Sequence, residues 1–203
     1  MTAYRIQTDR LLIRCYSPED APKLKEAIDA SLDHLRPWMP WAKDDPETLD
    51  AKVELLRRFR GNFDLGNDFI YGIFSPEDSV VLGGVGLHPR VGPNALEIGY
   101  WVRAGRIGKG LATEAAAALV RVSFEVHKVG RVEIHCDPVN IRSAAIPRKL
   151  GFTLEATLRR RAVRPDGSDR DTMIWSLFAT DYIESAASRA RVAAFDAGGR
   201  PLF

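Results

Sequence analysis

The stretch Arg106-Ile107-Gly108-Lys109-Gly110-Leu111-Ala112 decides how this chain is read. It separates a strand-like run, residues 95–102, from a run with helical spacing: Leu111, Ala115, Ala118, Leu119, Val122 and Val126. Glycine lets the backbone turn tightly and approach a ligand with no Cβ in the way. The first N–H groups of a helix lack partners within it, and the helix dipole adds positive potential there. Strand, glycine turn and helix start together make an anion site suited to a pyrophosphate. A Walker loop needs Lys-Ser/Thr after its last glycine, where Leu111-Ala112 stand. A dinucleotide fingerprint needs Gly or Ala where Thr113 stands, and an acidic residue after the next strand. Neither pattern is met. A turn that needs glycine for shape alone stays as the plain alternative.

The flanking segments supply the topology. Residues 69–74, 80–87 and 95–102 read as strands joined by Ser75-Pro76-Glu77-Asp78 and by residues 89–94, an antiparallel meander. Downstream, Gly130 stops the helix after Lys128, and residues 131–136 form a strand. Strand, helix, strand over this length fits a βαβ crossover between parallel neighbours. Asp137-Pro138 ends that strand, and residues 143–150 read as a short helix closed by Gly151. Residues 152–163 and 171–178 flank Arg164-Pro165-Asp166-Gly167 as a closing hairpin. At the start, residues 10–14 read as a strand, and Ser17-Pro18-Glu19-Asp20 opens a helix reaching about His34. The two prolines in Pro37-Trp38-Met39-Pro40-Trp41 interrupt regular helix. A second helix runs from near Asp45 to before Gly66. The expected organisation is one domain over residues 1–183, then a helical extension over 184–203 that ends in a frayed tail.

With 203 residues the chain is long enough to bury a core without disulfides or metals. Its net charge of +2, with both signs interspersed, gives no large field for nucleic acid or an anionic membrane. Positive potential for a ligand must therefore come from a local source such as a helix start. Cys15 and Cys136 have neither CxxC nor metal spacing and read as reduced core residues. No apolar leader and no run of ~20 apolar residues is present, which points to the cytoplasm. The four histidines, His34, His88, His127 and His135, share no spacing for a metal site or triad, so no metal is expected.

Gly108-Lys109-Gly110-Leu111-Ala112-Thr113-Glu114-Ala115 resembles the acetyl-CoA loop of the GNAT-superfamily N-acetyltransferases, and most closely the RimJ/RimL branch named for ribosomal-protein N-terminal acetylation. Other segments agree in order: Thr8-Asp9-Arg10-Leu11-Leu12-Ile13-Arg14, Pro37-Trp38-Met39-Pro40-Trp41, Leu96-Glu97-Ile98-Gly99-Tyr100-Trp101, Asn140-Ile141-Arg142-Ser143 and Lys149-Leu150-Gly151-Phe152. Asp166-Gly167-Ser168-Asp169-Arg170-Asp171 fits as well. The resemblance spans about residues 4–183. Two positions depart from the pattern. Ile107 stands where the loop usually carries Gln or Arg, and Pro147 lies inside the helix after Asn140, which asks for a shifted start or a kink.

The resemblance implies an α+β GNAT fold: a mixed, mostly antiparallel sheet with one parallel βαβ unit, splayed at the acetyl-CoA site, with helices on both faces. It implies direct attack of an amine on the acetyl thioester in a ternary complex. Ile107, Gly108, Lys109, Gly110, Leu111, Ala112 and Thr113 would hold the pyrophosphate. The pantetheine arm would pair with backbone at Tyr100, Trp101 and Val102, one of whose N–H groups is the candidate oxyanion donor. Asn140 would contact pantetheine or position Ser143, the candidate acid for the leaving thiolate; helix capping is the plain alternative for both. Glu97, alternating with Leu96 and Ile98, is the candidate base with an expected raised pKa, against a structural carboxylate paired with an arginine. Trp38 and Trp41 would floor the acceptor cleft, or serve as plain core. Arg159, Arg160, Arg161 and Arg164 could hold an acidic substrate, or form a solvated hairpin face. A protein or peptide N-terminal amine is the first candidate acceptor. At neutral pH roughly a tenth of α-amines are already uncharged, against about one lysine amine in a few thousand. A small-molecule amine (antibiotic or polyamine) and a non-catalytic acyl-CoA-binding module on the same fold remain open, as does a homodimer through the C-terminal segment.

Overall fold

The computed structural model describes residues 1–164 and 166–203, so Pro165 of the expected hairpin turn lies outside the described residues. The elements run β1 (Arg5–Gln7), β2 (Leu12–Cys15), α1 (Ala21–Asp29), α2 (Leu32–Leu35), α3 (Leu49–Leu65), β3 (Phe69–Phe74), β4 (Val81–His88) and β5 (Ala95–Val102). They continue with α4 (Leu111–Glu125), β6 (Arg131–Cys136), α5 (Ile141–Leu150), β7 (Thr153–Val163), β8 (Asp169–Phe178), α6 (Ala179–Tyr182) and β9 (Ala193–Phe195). All the strands form one sheet in the order β7-β8-β6-β5-β4-β3-β2-β1-β9. The meander β3-β4-β5 is antiparallel. β5 and β6 are the parallel pair joined through α4, and β7-β8 is the closing hairpin beside β6.

Helices cover both faces. Leu12 and Ile13, Ile73 and Phe74, Val81 and Leu82 are consecutive and point to opposite sides, as strand geometry requires. Ile13, Ile73 and Leu82 join Ala118 and Leu119 of α4 and Leu150 of α5 in one buried cluster. Leu12, Phe74 and Val81 join Leu24 and Ile28 of α1 and Leu56 of α3 in the other. α4 is apolar nearly all round, and Ala115, Ala116, Ala118, Leu119, Val120 and Val122 are fully buried. A helix of that kind must be enclosed.

The structure departs from the sequence expectations in four places. The first long helix breaks at Ser31. Its hydroxyl donates to the Ala27 carbonyl at 2.7 Å and accepts the Ala104 N–H at 3.0 Å, tying the break to the loop after β5. α4 ends at Glu125 because Lys128, at φ 57°, turns the chain before Gly130 does. α5 begins at Ile141, capped by Asn140 rather than Ser143. The segment 184–203 is neither helical nor frayed. After a 3-10 turn at Ala187–Arg189 it forms β9, which pairs with β1 (Ile6↔Ala194), and Ala187 and Ala194 are fully buried. Composition alone cannot foresee that pairing, because β1 and β9 are three residues each and meet across the whole chain. No described helix is long and apolar enough to cross a membrane.

Candidate active site

β5 and β6 touch through three residue pairs, Ala95↔Arg131, Leu96↔Val132 and Glu97↔Glu133. Beyond Glu97 they part. Residues 98–102 keep only β4 as a partner, and residues 134–136 keep only β8. The gap leaves one side of each backbone free to pair with an extended ligand. At its wide end the chain turns through Gly108 (φ 77°) and Gly110 (φ 78°) into α4. A side chain would strain both positions, so glycine is needed there for the turn itself. No described group accepts the N–H groups of residues 108–113, and the first helical bond is Glu114 N–H to the Gly110 carbonyl at 3.0 Å. Glu114 would otherwise set a negative charge beside this anion site. Its carboxylate instead receives the Thr8 hydroxyl at 2.6 Å and the Arg10 Nε at 2.7 Å. Arg10 also donates to the Lys109 carbonyl at 3.0 Å, so the N-terminal segment fixes the glycine loop. No spacing in the sequence reveals this role of Thr8 and Arg10. Ile107 is half-buried while Gly108, Lys109 and Gly110 are exposed.

α5 supplies the opposite wall. The Asn140 Oδ1 accepts the Ser143 N–H at 3.1 Å, a helix cap that places Ser143 in the first turn. Pro147 has no N–H to give to the Ser143 carbonyl four residues earlier. The Tyr100 hydroxyl takes that freed carbonyl at 3.2 Å and lies 3.1 Å from the Ser143 Oγ. Burial pushes the Tyr100 phenol well up, and the Ser143 bond only partly offsets this, so Tyr100 stays protonated and able to donate. Two hydroxyls thus meet across the gap, one from β5 and one from α5. The sequence points to Tyr100 for its backbone only; Pro147 in α5 is the signal for its hydroxyl.

Glu97, Gly99 and Trp101, on the other face of β5, border a cleft of about 1210 Å³ that Tyr100, Asn140 and Ser143 also line. Trp38 and Trp41 both line it; Trp41 is 41% exposed, so it is wall rather than core, and it meets Trp101 edge-on with centroids 5.9 Å apart. Arg161 and Arg170 also border the cleft, while Arg164 pairs with Asp137 at 3.1 Å. Glu97 is held by Arg90 through two bonds of 2.8 Å. Burial raises its pKa, but the Arg90 bonds and charge, with His135 and His88, outweigh that and leave it below the usual range. The expected raised pKa is therefore corrected: an arginine from the β4–β5 connector meets this carboxylate. The paired Glu133 contacts Arg131 at 2.7 Å and the His135 Nε2 at 2.6 Å. Among the described residues no group of three or more His, Cys, Asp or Glu could hold a metal ion.

A parallel pair that parts beside a glycine-turned helix start invites comparison with known proteins. Residues 10–153 match the acetyltransferase (GNAT) domain family. The chain belongs to the GNAT acetyltransferases. It is 27% identical over 183 residues to the [ribosomal protein uS5]-alanine N-acetyltransferase of Escherichia coli (strain K12), covering 88% of this chain and 92% of that protein. It is 26% identical over 137 residues to the ribosomal-protein-serine acetyltransferase of the same organism, covering 65% of this chain and 75% of that one. The solved structure of Mycobacterium smegmatis RimJ in complex with CoA-disulfide superposes with a TM-score of 0.77 at 24% identity, over 93% of this chain and 95% of that one, a likeness of fold. As a family member the chain is an acetyltransferase.

Proposed function

We propose that this enzyme moves the acetyl group of acetyl-CoA to the α-amine of a protein or peptide N-terminus, by direct attack in a ternary complex. One observation carries the reading. The gap between β5 and β6 opens at one end on the free N–H groups of residues 108–113 and on its side into the aromatic cleft, so donor and acceptor have separate entrances to one point. The pyrophosphate sits on the loop from Ile107 to Thr113, and pantetheine runs along the backbone at Tyr100, Trp101 and Val102. A backbone N–H of that stretch faces the developing oxyanion. Ser143, bonded to the Tyr100 phenol, protonates the departing thiolate, and Asn140 holds the helix turn that carries it. Trp38 and Trp41 receive the acceptor chain. Glu97 serves as a structural carboxylate, because Arg90 already occupies both of its oxygens. Two curated relatives named for acetylating ribosomal proteins support a protein acceptor, and with it work in the cytoplasm.

An acceptor screen tests this. Peptides with free N-termini, lysine side-chain amines, aminoglycosides and polyamines are offered with acetyl-CoA, and thiol release is followed. Peptide α-amines are expected to turn over fastest. Turnover confined to a small-molecule amine would replace the acceptor, and binding of acetyl-CoA without turnover of any amine would favour the binding module.

A further inference from the structure

The cleft holds a histidine that the reading above does not use. His88 ends β4, opposite Glu97 in the β4–β5 register. Its Nδ1 lies 2.6 Å from an Asp68 Oδ1, and both residues line the cleft. An ionised carboxylate only accepts, so Nδ1 carries the hydrogen and the lone pair is left on Nε2. No described group bonds Nε2. It lies over two glycines: a Cβ at Gly86 would fall 2.6 Å from it, and one at Gly99 3.3 Å. Gly99 belongs to the stretch of β5 that has just lost β6. Nε2 therefore lies beside the residues that open the gap.

Apart from the exposed Asp44 carboxylate, the other bases of the cleft are engaged. Glu97 is clasped by Arg90. His135 gives its Nε2 to Glu133, and its Nδ1 faces Glu97 at 3.8 Å. Asp45 and Glu47 bind Lys52 at 2.6 and 2.8 Å, and Asp137 binds Arg164. The charged groups around His88 are thus Asp68 from the end of the α3–β3 connector, Glu97 from β5, Arg90 from the β4–β5 connector and His135 from β6.

We propose that His88 is the general base of the acetyl transfer and that Asp68 is its positioning residue. This rests on the reading that the acetyl end of acetyl-CoA lies where β5 and β6 part. The lone pair of the amine nitrogen forms the C–N bond to the thioester carbonyl carbon. The proton that nitrogen sheds passes to Nε2, directly or through one water. The C–S bond breaks with its electron pair on sulfur, and the Ser143/Tyr100 hydroxyls protonate the thiolate. The imidazolium then loses its proton to solvent and the hydroxyl pair regains one, so amine and thioester give amide and thiol. A neutral imidazole nitrogen with a free lone pair can accept the proton that an α-amine nitrogen sheds.

The test compares His88→Gln, His88→Ala and Asp68→Asn with the unmodified enzyme on one N-terminal peptide acceptor. It reads kcat and KM against pH, acetyl-CoA affinity by calorimetry, and folding by circular dichroism. His88→Gln is expected to lower kcat roughly 100-fold with acetyl-CoA affinity unchanged, leaving only the amine's own ionisation in the pH profile. Added imidazole should restore part of the activity of His88→Ala. Asp68→Asn should lower kcat with KM unchanged, because the ring loses the carboxylate that holds its Nδ1 hydrogen and fixes its tautomer. A folded His88→Gln enzyme that binds acetyl-CoA and keeps kcat within about threefold, with the same profile, overturns the proposal. Should the His88 variants fail to fold, Asp68→Asn decides, and an unchanged kcat overturns it. If the unmodified enzyme binds no acetyl-CoA and acetylates no amine, the functional reading fails instead.

Discussion

Arg10 and Lys109 are 99 residues apart, and the bond between them is what fixes the glycine loop. Arg10→Ala removes that bond and the Glu114 ion pair, whose arginine is 51% exposed. Exposure keeps the loss modest, about 1 kcal/mol, and it should appear as a roughly 3- to 10-fold weaker acetyl-CoA affinity by calorimetry with unchanged thermal stability. The Thr8-to-Arg14 segment was legible as a resemblance, but its purpose was not, since no spacing rule links residue 10 to residue 114. The Asp68–His88 pair was hidden in the same way, although pairing Phe69 with Leu87 sets residues 68 and 88 opposite each other. His127 shows the contrary case, a half-buried histidine that serves packing. Burial against Phe69, with a minor contribution from the N-terminal charge, lowers its pKa to about 4. The unfolded chain, with histidine near ~6.5, binds a proton that the folded chain refuses between those values. This contribution is complete above about pH 6.5 and declines toward pH 4. His127→Phe should flatten that part of the stability curve in urea titrations at stepped pH.

Most elements were legible because each carries its own period and punctuation. β3, β5 and β6 have the bounds their sequence predicts, since Gly, Pro or Asn stands within three residues of each end. α5 was misplaced by two residues because Asn140 and Ser143 both look like caps; the side-chain bond from Asn140 decides. Pro147 looked like a departure from the family pattern. In the structure it frees the Ser143 carbonyl that Tyr100 bonds, so the departure belongs to the site. α4 was easily legible, but its environment was not: alanines on every side say that it is covered without saying by what. Leu119 is fully buried in it. Leu119→Ala should cost about 2–5 kcal/mol, read as a lower urea midpoint with unchanged slope.

At the scale of the whole molecule, the cover of α4 comes from the end of the chain. Arg121 of α4 bonds the Ala190 carbonyl at 2.9 Å and lies over the Phe203 ring at 4.4 Å, while β9 closes the edge of β1. Removing residues 184–203 should lower stability by roughly 2–4 kcal/mol, from several apolar side chains returned to water. An unchanged urea midpoint would contradict the packing described. That cover stands away from the cleft, so the tail stabilises the fold without reaching the proposed site. Mass spectrometry of a peptide set with varied free N-termini, incubated with enzyme and acetyl-CoA, tests the functional claim most directly. The account predicts one acetyl group on the α-nitrogen, formed in step with released thiol. Folded enzyme that leaves every peptide unmodified would contradict it.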